Sequence, residues 1–334
     1  MLLWPAGAPA FGPGLWPPVY LDNLSTGHLS LRRKLTFAAG DYLPYLVRAG
    51  RWLVYPGRQG TMAIGDGLTG TPRVLGDTPL SAPAAAPGRV WLERIRGDLG
   101  EGGQASVWQV SVRTGHRGPV LTLLRGASLV AGTDAGLLLQ VPRGHDFGLA
   151  LRSRGGALRA LPYSPWWRDG FDASPRLVAY GSGCRDRDTQ ANPTYYATCQ
   201  LLRVFNVVTG RLSSVQAPAG TAGWIPFGIG VTHPIAPQGQ MIAAYAATRP
   251  LGKGHDRLFV TRLASATGTP LPVPSSAAIL YARTAWSADG SWLIYQGPGQ
   301  RMWAYQVSSG NARASSTRCC SYTVMAAFPS SHRA

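Results

Sequence analysis

This sequence predicts an all-β fold, a β-propeller of seven four-stranded antiparallel blades, and three observations carry the prediction. A strand ending in a Thr-Gly or similar turn recurs along the whole chain. A second strand, apolar and introduced by a Gly or Pro turn, precedes each of those turns at a similar offset. Gly (42) and Pro (27) are spread over the 334 residues, as many short strands and turns require. Heptads, long amphipathic helical stretches and alternating strand–helix patterns are not evident.

The turn-ending strand reads VYLDNLSTG (19–27), MAIGDGLTG (62–70), VWQVSVRTG (107–115), LRVFNVVTG (202–210), FVTRLASATG (259–268) and WAYQVSSG (303–310), with a degraded copy LALRSRGG at 149–156. The terminal glycines are Gly27, Gly70, Gly115, Gly156, Gly210, Gly268 and Gly310, at intervals of 41 to 58 residues. A tight hairpin turn needs a residue at positive φ, which Gly adopts without steric cost.

The second strand reads GRWLVYP (50–56), GRVWLER (88–94), GLLLQVP (136–142), PRLVAYG (175–181), GQMIAAYA (239–246) and GSWLIYQG (290–297). These six copies face seven turns, so a seventh belongs before Gly27, where MLLWP (1–5) matches WLVYP (52–56). Repeats of this length holding several short strands are the mark of a β-propeller. Each blade is apolar on both faces and buries them only by stacking in a ring. Residues 1–334 therefore read as a single propeller domain.

The best-formed repeat gives the strand order. In TAWSADGSWLIYQGPGQRMWAYQVSSG (284–310), innermost strand a is expected over 282–287 and strand b over 291–296. Strand c follows over 302–307, and strand d over 312–317. Its core, Trp286-Ser287-Ala288-Asp289-Gly290, resembles the Trp-Ser-Pro-Asp-Gly motif of TolB-like propellers, a WD-repeat-like class, with Ala at the Pro position. Ile235-Ala236-Pro237-Gln238-Gly239 is a weaker copy. The Gly-His and Trp-Asp signatures of WD repeats proper do not recur regularly. The chain is also similar to exported bacterial propellers of unassigned role, a resemblance that implies no particular reaction.

If residues 2–5 form strand b of the first blade, its strand a must come from elsewhere. The stretch 322–328, within CCSYTVMAAFPSS (319–331), has the length and composition of an inner strand. It is expected to close the first blade beside Leu2-Leu3-Trp4. The competing reading of MLLWPAG as an export signal is weaker: it lacks a basic lead, a long apolar core and a small-residue cleavage site.

Charge is lopsided, with 32 basic residues, 30 of them Arg, against 15 acidic ones, a net +17. The densest run is only Arg32-Arg33-Lys34, and the other arginines are scattered. A nucleic-acid binder concentrates such charge on one face, so that partner is not favoured. The excess reads as a solvated surface or as attraction to an anionic polymer. No apolar run reaches the ~18 residues of a membrane-spanning helix.

In such a ring the a–b and c–d turns lie on one face, and the b–c and d–a connections lie on the other. The regular turns read as structural. Function is expected in the irregular b–c connections, because variable loops on a rigid scaffold carry recognition. Three are enlarged, at 96–104, 184–199 and 247–256, and Trp16 follows the Pro/Gly-rich stretch of the first blade. In CRDRDTQANPTYYATC (184–199) two cysteines bracket a polar insertion, and Cys184 with Cys199 reads as a disulfide and hence as an oxidising compartment outside the cytoplasm. Cys319 and Cys320 read as a strained vicinal bond or as two thiols.

The candidate ligand-binding residues are Arg185, Asp186, Asp188, Tyr195 and Tyr196 in that loop, Trp166, Trp167 and Arg168, the pairs His145-Asp146 and His255-Asp256, and Arg249. Aromatics beside arginines stack on sugars or anchor protein partners. Asp186 and Asp188 alternate as calcium ligands do, but the Gly and distal Glu of such a loop are missing, and an ordinary solvated loop is the plainer reading. The His-Asp pairs sit in turn-like glycine contexts and read as turns before they read as a general base with its orienting carboxylate. No zinc, serine-hydrolase or phosphate-loop motif occurs, so no cofactor or metal is expected. Glu93 and Glu101 are the only glutamates, which leaves few options for paired-carboxylate chemistry.

The expectation is therefore an exported, monomeric, non-catalytic binding or scaffolding propeller. It would recognise a protein or an anionic envelope polymer through its b–c face. The alternative is a propeller hydrolase or lyase with a site at the mouth of the central channel.

Overall fold

A computed structural model describes residues 2–4, 18–23, 28–34, 47–65, 70–78, 80–99, 102–144, 146–162, 171–185, 198–225, 235–237, 239–248, 257–263, 270–273, 284–287, 289–297, 301–318 and 323–326. The described strands form five four-stranded antiparallel sheets and one of eight strands, which together make seven four-stranded blades. Blade 1 contains β1 (Leu2–Trp4), β2 (Pro18–Asn23) and β3 (His28–Lys34). Blade 2 is β4 (Val47–Ala49), β5 (Trp52–Gly57), β6 (Gly60–Gly65) and β7 (Arg73–Gly76). Blade 3 is β8 (Leu80–Pro83), β9 (Arg89–Arg96), β10 (Gln104–Ser111) and β11 (Arg117–Thr122). Blade 4 is β12 (Ser128–Thr133), β13 (Gly136–Arg143), β14 (Asp146–Ser153) and β15 (Leu158–Ala160).

Blade 5 is β16 (Phe171–Ala173), β17 (Leu177–Arg185), β18 (Thr198–Asn206) and β19 (Leu212–Gln216). Blade 6 is β20 (Thr221–Trp224), β21 (Met241–Thr248), β22 (Arg257–Arg262) and β23 (Leu271–Pro272). Blade 7 is β24 (Ala285–Trp286), β25 (Trp292–Gly297), β26 (Arg301–Gln306) and β27 (Asn311–Arg318). The last strand, β28 (Thr323–Ala326), pairs antiparallel with β1, Leu3 opposite Val324 and Trp4 opposite Thr323. The C-terminal segment thus supplies the inner strand of blade 1, as expected from the sequence. Blades 7 and 1 meet, with β24 beside β28 and β27 beside β3.

Period-2 alternation explains why a blade cannot stand alone. On β21, Ile242, Ala244 and Ala246 join a buried cluster shared with blade 5, while Ala243, Tyr245 and Ala247 join one shared with blade 7. On β17, Leu177 and Ala179 face blade 6, and Val178 and Tyr180 face blade 4. Further clusters fill the seams between blades 2 and 3 and between blades 3 and 4. The core is therefore a series of radial seams rather than one central mass.

The turn glycines behave as their chemistry requires. Gly70, Gly115, Gly156, Gly210 and Gly310 all lie at φ between 71 and 89°. In three of these turns the N–H of Gly115, Gly210 or Gly310 donates to the carbonyl of Ser111, Asn206 or Gln306, at 2.8, 2.8 and 2.9 Å. Gly27 and Gly268 lie outside the described residues.

The a–b turn of blade 7 shows what the Trp-Ser-x-Asp-Gly pattern does. Trp286 is buried, and Ser287 N–H donates to the Trp292 carbonyl (2.9 Å). Asp289 accepts from the Ser287 hydroxyl (2.6 Å) and from Ser291 N–H (3.1 Å), which lowers its pKa, with the Ser287 bond the largest cause. The weaker copy in blade 6 makes the same turn: Ala236 N–H donates to Met241 O (2.9 Å) and Gly239 N–H to Ala236 O (2.7 Å). Gly239 and Gly290 share a φ of 67°.

Candidate functional site

Strand ends on the b–c face frame connections of very unequal length. Two residues separate β5 from β6, and two separate β13 from β14. Seven separate β9 from β10, twelve separate β17 from β18, and eight separate β21 from β22. The longest insertion stands on the longest hairpin, since β17 and β18 have nine residues each.

A disulfide ties that hairpin where the insertion leaves it. Cys184 and Cys199 are directly opposed in the ladder and bonded to each other. Gly181 makes room for the bond: a Cβ there would stand 2.5 Å from Cys199 Sγ and 3.1 Å from Cys184 Sγ. Cys199 and Thr198 are buried, and the strand also pairs outward, with Cys199 opposite Trp224 of β20. Trp224 is fully buried, and its indole N–H donates to the Val215 carbonyl (3.1 Å). This pairing joins blades 5 and 6 into one eight-stranded sheet. Gly223 permits the close approach, because a Cβ there would lie 2.9 Å from that of Thr198.

Of the residues expected to bind ligand, Arg185 ends β17 opposite Thr198, so the insertion proper is 186–197. Asp146 opens β14 opposite Arg143, so it belongs to a strand and not to the turn that its glycine context suggested; ladder pairing there continues almost to the hairpin tip. His145, Trp166, Trp167, Arg168, Asp186, Asp188, Tyr195, Tyr196, Arg249, His255 and Asp256 lie outside the described residues, as do Trp16, Cys319 and Cys320. In sequence, residues 163–170 fall between β15 and β16.

Sequence reasoning passed over Glu93 as a site. It sits on β9 between Trp91 and Ile95, which pack into the seam with blade 4, and is only 7% exposed. One carboxylate oxygen accepts from Leu129 N–H of β12 at 2.9 Å. Burial pushes its pKa up to about 7, opposed in part by the Leu129 hydrogen bond. Its main-chain carbonyl accepts from the Thr78 hydroxyl, and the Thr78 carbonyl accepts from the Thr61 hydroxyl (2.6 Å). The signal in the sequence was a lone carboxylate within an apolar strand-b copy, GRVWLER.

Many described arginines are engaged singly by neighbouring strands. Arg94 pairs with Asp77, holding that carboxyl below its ordinary value, and lies 5.6 Å from the ring of buried Trp108. Arg117 lies 4.2 Å from the same ring, Arg159 lies 5.7 Å from that of Phe205, and Arg313 lies 4.9 Å from that of Trp292. Arg152 donates to the Thr122 carbonyl (2.9 Å), bridging blades 4 and 3, and Arg176 to Asp134 (2.7 Å), bridging two a–b turns. These contacts are spread over several blades and both faces. Among the described residues, no helix is long and apolar enough to cross a membrane.

No family model matches the chain, and no curated protein matches it. Solved structures do. Puromycin hydrolase aligns over 96% of this chain and 52% of its own, at 16% identity and a TM-score of 0.52. Oligogalacturonate lyase from Vibrio parahaemolyticus aligns over 89% and 88%, at 10% identity and a TM-score of 0.50. The β-propeller domain of the trilobed protease from Pyrococcus furiosus aligns over 82% and 85%, at 7% identity and a TM-score of 0.50. The chain is a β-propeller. At these identities the likeness is one of fold, and propellers host unrelated functions.

Proposed function

We propose that the chain, one propeller unit from end to end, is a non-catalytic binding or scaffolding module that acts outside the cytoplasm. On this reading it recognises a protein or an anionic envelope polymer through its b–c face. The supporting observation is the contrast between the two faces. The c–d turns repeat one hydrogen-bonded glycine geometry, whereas the b–c connections range from two to twelve residues, the longest tied at its base by the Cys184–Cys199 disulfide. A bond at the base of an insertion limits the freedom that binding would otherwise have to remove. The disulfide also favours an oxidising compartment.

The test is affinity capture from the native envelope fraction, comparing the intact chain with a variant in which residues 186–197 are replaced by Asn-Gly. The variant should keep its thermal transition and lose the partner. Unchanged capture would remove this hairpin as the principal contact. Salt-gradient elution from a sulfated-polysaccharide resin, run in parallel, separates the two partner classes, because polyanion contacts weaken steeply with ionic strength and apolar protein contacts do not.

A further inference from the structure

The geometry points to a proton-operated latch between blades 3 and 4, in which the Glu93 carboxyl holds the inner strand of blade 4 while neutral and releases it when charged. Three observations place it there. First, Glu93 reaches across the seam: its oxygen accepts from the main-chain N–H of Leu129 on β12. Second, the walls are apolar: Trp91 and Ile95 flank it on β9, and Ala82, Val107, Leu129, Leu137 and Leu139 fill the seam. Trp91 packs so closely on β12 that a Cβ on Gly132 would come 2.3 Å from its indole nitrogen. Third, β12 is irregular at that point, since its register against β13 shifts between Leu129 and Ala131. The element held by Glu93 is thus the least regular part of its own ladder.

Among the described residues, no charged partner from the packed elements answers the carboxylate. β8, β10 and β12 carry no ionisable side chain. On β9 itself, Arg94 is bound to Asp77 and Arg89 to Gln109. Arg96 and Arg143 are exposed at the ends of β9 and β13, and Arg125 is exposed in the connection before β12. Burial holds the proton on Glu93 up to about pH 7. Below that, the neutral acid accepts the Leu129 N–H and the seam stays shut. Above it, a bare charge faces one amide donor and apolar walls, and opening the seam to water relieves the desolvation.

Hydrogen exchange of the intact chain tests this, with rates corrected for intrinsic chemistry. Protection of the amides at 129–131 should fall at least tenfold between pH 6 and pH 8.5, while those at 243–247 in blade 6 hold. In Glu93→Gln the protection at 129–131 should stay within twofold. A flat profile in the wild type, or an equal fall in both proteins, would overturn the latch. A second measurement stands without the variant: the chain has only two glutamates, so 13C-carboxyl-labelled glutamate gives two signals. One should titrate near pH 7; both titrating below pH 5 would equally overturn it.

Discussion

Glu93 holds its proton more tightly in the folded chain than a free glutamate does, and linkage turns that into a pH dependence of stability. Its pKa rises from 4.5 to about 7 on folding, so the folded state binds more protons between those values. The associated stability is fully present below about pH 4.5 and is lost as pH rises through 7. At 1.36 kcal/mol per unit this amounts to about 3 kcal/mol. Denaturant unfolding at pH 5 and pH 8.5 should show the wild type losing most of that, about 2.5 kcal/mol, more than Glu93→Gln between the two, since part is already lost at pH 5. Equal losses would mean that Glu93 titrates normally in the folded chain.

Among the elements, the β17–β18 hairpin joins local chemistry to the blade above it. The disulfide encloses 15 positions of chain, and closing a loop of that size adds up to about 3 kcal/mol by restricting the unfolded state. Cys184→Ala combined with Cys199→Ala should lower stability by an amount in that range, and a reductant should destabilise the wild type but not the double variant. A reductant effect that persists in the double variant would assign it to other cysteines. The hairpin was legible in the sequence because two cysteines bracketing a polar insertion between apolar strands must meet if those strands pair. In blade 7 the limits of two strands were legible to one residue: b, expected over 291–296, is Trp292–Gly297, and d, expected over 312–317, is Asn311–Arg318. The latch was not legible, because the burial of Glu93 depends on blade 4, whose distance in space no local pattern reports. The pairing of Cys199 with Trp224 was hidden for the same reason, being set by how two blades meet.

For the whole molecule, the ring depends on its two ends. Seven glycine-marked turns set the blade number, and the unmatched strand at 2–4 called for a partner that β28 supplies. A chain ending at residue 318 would leave β1 without its inner neighbour and blade 7 without the β24–β28 contact. Such a truncation should lower the thermal midpoint and broaden the transition, since a ring opened at one seam unfolds from that seam inward. A peptide of residues 319–334 added in trans should restore part of the loss. A truncated chain that melts like the intact one would show that the closing strand adds little.

The pairing of Cys199 with Trp224 has a mechanical meaning. At most boundaries neighbouring blades touch through side chains, which slide and repack under small displacements. At this one, main-chain hydrogen bonds run from the foot of the twelve-residue insertion into β20, the inner strand of the next blade. Displacement at the foot of that hairpin is therefore passed to the inner strand of blade 6 through the main chain as well as through side chains.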